Sequence, residues 1–133
     1  MALVVLDASV VIGFLDPDDP LHEAAVRALT EHQHDELVVP ASVYAEILVG
    51  PYRKGARAVA AVEAFLADFA IRIAPITPAI ARAAARLRGG SKGVRLPDAL
   101  VLATADETGA DRVLTGDDSW TRIARRVTLV HGC

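Results

Sequence analysis

The sequence predicts an α/β fold, a mostly parallel central sheet of four to five strands flanked by helices, in a single domain over residues 1–133. Three observations lead there. Short aliphatic runs alternate with segments of helical period along the whole chain. The hydrophobic share is 53% while aromatics reach only 5%, so the core must be built from Ala, Val, Leu and Ile, as in parallel sheets buried on both faces. The length, 133 residues, allows one real core and is short for two.

The elements follow in order. Ala2 to Leu6 is an apolar run ending in an acid, the pattern of a buried strand. Ser9 to Leu15 reads as a short helix closed by the turn Asp16-Pro17-Asp18-Asp19-Pro20. Leu21, Ala24, Ala25, Ala28 and Leu29 have helical spacing. Leu37 to Pro40 is a second strand, with a helix from about Ser42 that Gly50-Pro51 ends or kinks. Val59, Val62, Phe65, Leu66 and Phe69 mark a helix over 56–69. Ile71 to Ile76 is a third strand, and Thr77-Pro78 opens the next helix. Gly89 to Gly93 is expected to be a flexible loop, after which Leu96-Pro97-Asp98 starts a helix that stops at Gly109. Arg112 to Leu114 is a fourth strand, Asp117 or Asp118 caps a short helix, and Val127 to Val130 is a last strand.

Composition narrows the class. No apolar run reaches the roughly 18 residues of a membrane span. The N-terminus meets Asp7 at once and lacks a basic n-region, so it does not read as a signal peptide. The lone cysteine, Cys133, fits a reducing cytoplasm. Net charge is −3, so nothing global announces a nucleic-acid binder. Yet no acid lies between Asp68 and Asp98, an interval carrying Arg72, Arg82, Arg86, Arg88, Lys92 and Arg95. That polarity suits an acidic pocket beside a basic groove, although Arg82 and Arg86 equally fit the solvated face of a helix.

In an open parallel sheet, ligands bind outside the carboxyl ends of the strands. Asp7 ends the first strand, Asp117 follows the fourth after Thr115-Gly116, Asp98 opens a helix, and Glu46 lies in the helix after the second strand. Gathered carboxylates repel one another unless a cation relieves them. Hard oxygen donors suit Mg²⁺ or Mn²⁺ rather than Zn²⁺, and such an ion assists phosphodiester hydrolysis. The bland alternative is that Asp7 and Asp117 are N-caps and Asp98 offsets a helix dipole. Glu46 resists it, because it sits among apolar neighbours from Val43 to Val49, where a buried unpaired acid is costly; a surface position also remains open to it, though the neighbours fit that less well.

These residues, in this order, resemble the PIN domain, and specifically the VapC-type toxins of prokaryotic toxin–antitoxin pairs. Val5-Leu6-Asp7-Ala8-Ser9, Ser42-Val43-Tyr44-Ala45-Glu46, Leu96-Pro97-Asp98-Ala99 and Leu114-Thr115-Gly116-Asp117 match the four family motifs from Leu3 to Val130. The resemblance implies that Asp7, Glu46, Asp98 and Asp117 form a catalytic metal site for Mg²⁺ or Mn²⁺, with Ser9 and Thr115 as supporting hydroxyls. It also implies an endoribonuclease toxin acting on RNA, a homodimer, and a cognate antitoxin that blocks the pocket. Lys92 and Arg95, in the loop leading to Asp98, are the expected RNA contacts. Gly116 departs from the basic residue common at its position, Trp120 stands where Phe is commoner, and Asp118 is a fifth acid.

Other chemistries fit poorly. Ser9 lacks a nucleophile-elbow setting and an obvious His partner, and no P-loop is present. His22, His32, His34 and His131 read as surface groups rather than ligands. A haloacid-dehalogenase-type phosphatase would need an Asp where Ser9 stands, and a phosphoacceptor receiver a later Lys that is missing. The rival of another class is a PIN-like module that acts by binding antitoxin and nucleic acid without efficient catalysis; loss of one acid would be its sign, and all four are present.

Overall fold

The computed structural model describes residues 1–90, 93–122 and 126–131, the side chain of residue 122 excepted. Strands β1 (Leu3–Leu6), β2 (Glu36–Pro40), β3 (Arg72–Ala74), β4 (Arg112–Thr115) and β5 (Val127–Leu129) alternate with six helices: α1 (Ala8–Leu15), α2 (His22–Glu31), α3 (Ala41–Lys54), α4 (Ala56–Asp68), α5 (Pro78–Gly90) and α6 (Leu96–Thr108). A short 3₁₀ helix, Asp118–Arg122, precedes β5.

The strands form one sheet in the order β3-β2-β1-β4-β5, every neighbouring pair parallel. Val5 lies opposite Val38 on one side and Val113 on the other. Both faces of the centre are covered: Val4, Val5, Leu6, Val38 and Val39 are fully buried, and Leu37, Val113 and Leu114 nearly so. Aliphatic runs without polar alternation are what such a sheet requires, and each fully buried Val or Leu contributes about 1.5–3 kcal/mol. Phe14 of α1 meets Phe65 and Phe69 at ring-centroid distances of 4.9 and 5.2 Å, joining α1 to α4.

The strand order reverses between β1 and β4. In open α/β sheets such a switch point is where ligands bind, outside the carboxyl ends of the strands. Helix α6 reaches this edge with its N-terminus. Its body is buried around most of its circumference, through Ala99, Val101, Leu102, Ala103, Thr104 and Ala105, because it packs on the sheet and also on α5, where Ile80, Ala84 and Val94 form a second apolar cluster. Gly109, at φ 69°, ends it in the left-handed conformation.

Three expectations need correction. Gly50-Pro51 does not end α3, which continues to Lys54 and stops at Gly55, where φ of 128° leaves helical space. Gly89 and Gly90 are the last turn of α5 rather than loop: near a helix end the penalty for glycine is small against the packing of Ala84 and Leu87 on α6. The third strand shrinks to Arg72–Ala74 because it lies at the sheet edge and pairs only with β2. Among the described residues no helix is long and apolar enough to cross a membrane.

Candidate functional site

Asp7 leaves β1 as the N-cap of α1, its Oδ1 accepting from the Ala8 amide at 2.8 Å. Its Oδ2 accepts two hydroxyl hydrogens, from Ser9 Oγ and from Thr115 Oγ1, both at 2.8 Å. Those hydroxyls are held by the backbone in turn. The Gly116 amide donates to Ser9 Oγ at 3.0 Å and the Asp117 amide donates to Thr115 Oγ1 at 3.1 Å. With one side of each hydroxyl oxygen receiving an N–H, its hydrogen is directed at Asp7. A carboxylate offers about four acceptor positions, and three are taken, which among the described residues leaves one position of Oδ1 without a donor.

Asp98 lies in the first turn of α6 with its side chain 17% exposed. Partial burial raises its pKa above the ordinary carboxylate value; the Arg95 guanidinium opposes this, and the charges of Asp7 and Asp117 push it up further. Glu46 stands on α3 one position from the buried stripe of Val43 and Ile47 and is solvent-exposed. Of the two positions the sequence left open for Glu46, buried or at the surface, the structure shows the second: Glu46 borders the buried stripe without being covered by it. Its pKa is nevertheless raised, first by partial loss of hydration and then by the charges of Asp7 and Asp98, with Arg95 opposing. Three of the four acids therefore share one local field, and Asp117 enters it through Asp98.

Asp117 also caps the 3₁₀ helix, its Oδ1 accepting from the Ser119 amide at 2.9 Å and from Ser119 Oγ at 2.7 Å. Of the neighbouring pair, Asp117 is the one whose charge acts on Asp98; Asp118 is exposed. Capping and proximity to the acids thus coexist at Asp7 and Asp117. Arg95 occupies the N-cap position of α6, 77% exposed, with Nε 3.4 Å from Asp98 Oδ2. Lys92 lies outside the described residues.

The donor set is all oxygen. Among the described residues no three His, Cys, Asp or Glu side chains stand close enough together to enclose a metal ion. Oxygen donors of this kind are the type that Mg²⁺ or Mn²⁺ takes, with water completing the shell, rather than the type that Zn²⁺ favours.

Two features lay beyond the sequence reading. Gly116 is tightly approached: a Cβ there would come within 2.7 Å of Leu21 Cδ2, so a side chain at this position requires Leu21 to move. A groove of about 380 Å³ adjoins Glu46, walled by Ile12 and Leu15 of α1, Ile47 of α3 and Val62 of α4, with Asp16 and Lys54 at its rim. Its apolar lining is split over three helices, so no single motif announces it. His22 and His32 are also more than surface groups: His22 Nδ1 bonds the Gly13 carbonyl at 2.9 Å and His32 pairs with Asp35 at 2.8 Å.

The family model of the PIN domain matches residues 4–126. No curated protein matches the chain. Among solved structures, the chain is similar to VapBC2 from Rickettsia felis bound to a DNA fragment from its promoter, at 14% identity and TM-score 0.77, covering 94% of this chain and 96% of the other. It is similar to VapC20 of Mycobacterium tuberculosis, a Sarcin-Ricin loop cleaving toxin, at 19% identity and TM-score 0.75, covering 91% and 95%. It is similar as well to VapBC-5 of the toxin–antitoxin family from the same bacterium, at 26% identity and TM-score 0.66, covering 99% and 100%.

Proposed function

The chain belongs to the PIN-domain family, and from that premise we propose that it is a divalent-metal-dependent endoribonuclease, the VapC-type toxin of a toxin–antitoxin pair. The observation that carries the proposal is the Asp7 carboxylate, held by Ser9 and Thr115 at the switch point with one acceptor position open and its charge felt by both Glu46 and Asp98. Asp7, Glu46, Asp98 and Asp117 are the residues that would hold Mg²⁺ or Mn²⁺. Such an ion supplies activation of water and neutralisation of charge growing on a phosphoryl oxygen. Ser9 and Thr115 keep Asp7 in one rotamer, so the open lone pair does not have to be reoriented for each turnover. Arg95 and Lys92 are the cations that would meet the RNA backbone, as positive charges do at nucleic-acid grooves.

The substrate and partner follow the neighbours. VapC20 is a loop-cleaving toxin, and two of the similar structures belong to VapBC pairs. We assign to this chain an RNA substrate, a cognate antitoxin, a homodimeric state and a cytoplasmic setting, with residues 1–133 as one functional domain. The groove beside Glu46 is the surface on which an antitoxin segment would reach the carboxylates.

Chelation tests the metal and the chemistry together. EDTA is expected to abolish RNA cleavage by the purified chain and Mg²⁺ or Mn²⁺ to restore it, while Asp7→Asn stays inactive at any metal concentration. Cleavage undiminished in EDTA would sink the proposal. Expression in a bacterial host is expected to arrest growth for the wild type and not for Asp7→Asn.

A further inference from the structure

Arg95 has a role beyond that of one more cation near RNA. It is the residue immediately before α6 and reaches over one turn to Asp98, its partner at i+3. The contact is loose: a single Nε donor at 3.4 Å from Oδ2, rather than the two parallel bonds a guanidinium makes when it clamps a carboxylate. The side chain is 77% exposed whereas Asp98 is 17% exposed, so the guanidinium can leave for solvent without unpacking anything. Exposed pairs of this kind contribute little to stability. Arg95 also acts on Glu46, opposing the repulsion from Asp7 and Asp98. The contact itself is with Asp98; at Glu46 the guanidinium acts only through its charge.

We infer that Arg95 is an internal counter-ion that neutralises Asp98 when no metal is bound, and that a divalent cation displaces it toward the RNA backbone. The inference rests on the metal-dependent reading above. Its physical basis is competition. A divalent ion on Asp98 and a guanidinium whose Nε lies 3.4 Å from Asp98 Oδ2 are like charges at close range and repel. Arg95 is thus a positioning residue: it keeps the acids from repelling one another in the metal-free protein and gives way when a stronger charge arrives. The 3.4 Å single-donor geometry is what such an exchange needs, because a bidentate clamp would hold the site closed.

Calorimetric titration of the full chain with MnCl₂, without RNA, tests it. Arg95→Gln is expected to bind Mn²⁺ about two- to fivefold more tightly than wild type, the range to which the worth of an exposed ion pair converts. Arg82→Gln, an exposed arginine on α5, removes the same charge from the molecule and is expected to leave the affinity unchanged. Separately, the Arg95 Nε–H resonance is expected to move as Mg²⁺ is added, over the concentration range in which the metal binds. Wild type that binds Mn²⁺ beside an Arg95→Gln variant that binds no tighter overturns this inference and leaves the metal centre standing. Equal tightening by Arg82→Gln also overturns it, since the effect is then one of net charge. If neither wild type nor Arg95→Gln takes up Mn²⁺, the metal reading fails and this inference with it.

Discussion

Thr115 Oγ1 lies 2.8 Å from Asp7 Oδ2 although the two residues are 108 positions apart in sequence. The contact joins the carboxyl ends of β1 and β4 and is set by sheet register, which places Leu6 opposite Leu114 and so brings the next residue of each strand to the same edge. Thr115 is fully buried and its hydroxyl is used twice, once as donor to Asp7 and once as acceptor from the Asp117 amide.

Thr115→Val keeps the shape and removes both bonds. It leaves one partly buried carboxylate oxygen with a single donor and one amide without its acceptor, for a loss of about 1–3 kcal/mol. Urea denaturation is expected to show a lowered midpoint with an unchanged slope, and cleavage to fall because Asp7 is no longer held in one rotamer. A variant within about 0.5 kcal/mol of wild type would mean that the network does not hold the edge together.

The raised pKa values of Asp98 and Glu46 give the metal-free protein a defined pH response. A carboxyl whose pKa is higher folded than unfolded holds its proton more tightly in the folded state. Its stabilising contribution is complete below the unfolded value of about 4 and is lost as pH rises through the folded value. Asp35 runs the other way: its hydrogen bonds to His32 and to the Ala2 amide lower its pKa, so its contribution is present above about pH 4 and lost as pH falls. Comparing wild type with Asp98→Asn cancels Asp35. The variant is expected to gain stability relative to wild type from about pH 4 upward in EDTA, and saturating Mg²⁺ to reverse the difference. A variant less stable than wild type throughout pH 6–8 would show that Asp98 acts chiefly on the helix dipole.

Asp7 was legible in the sequence because an apolar run that stops at an acid marks both a strand and its carboxyl end. Asp98 was legible for a related reason: Pro97 sets the first turn of a helix, and an acid beside it faces the same edge. Glu46 shows where such reasoning stops. Its neighbours are apolar and it borders the stripe of Val43 and Ile47, yet it stays exposed, because only the packing partners decide how far the covered face extends. Gly89 and Gly90 do mislead, since a dipeptide that reads as a breaker stays helical when α6 supports the preceding turns. The Ser9–Gly116 bond, the Leu21–Gly116 approach and the groove beside Glu46 each join residues from separate elements. No local pattern encodes them, because they depend on the distance between elements after packing.

Gly116→Ala tests the tight approach to Leu21. The new Cβ would sit 2.7 Å from Leu21 Cδ2, so Leu21 has to rotate away from the core that it helps to cover. Because the opposing atom is a side-chain end, the loss is expected at the low end of the overpacking range, about 1 kcal/mol. Leu21→Ala removes the obstruction at its own expense, and adding Gly116→Ala to it is expected to have no further effect. Additive losses in the double variant would mean that glycine is required at 116 for a reason other than space.

The charge distribution makes a prediction that does not depend on the family resemblance. Arg95 and Lys92 lie in the connection between α5 and Asp98, at the end of an interval without acids. An Asp98→Asn background is expected to stop turnover and also removes the charge that Arg95 pairs with, so RNA binding can be measured by itself. In that background Lys92→Ala with Arg95→Ala is expected to weaken binding across RNA sequences, because phosphate contacts carry no base information. The dependence of log affinity on log salt is expected to become shallower by about one to two units, at ~0.7 per phosphate contact on a single strand. Arg82→Ala with Arg86→Ala removes as much charge from α5, where both arginines are exposed. If those two only solvate a helix face, the slope stays as it was. Equal slopes for the Lys92/Arg95 pair and its parent would place the RNA backbone elsewhere on the molecule, and a slope lost through Arg82 and Arg86 would place it along α5.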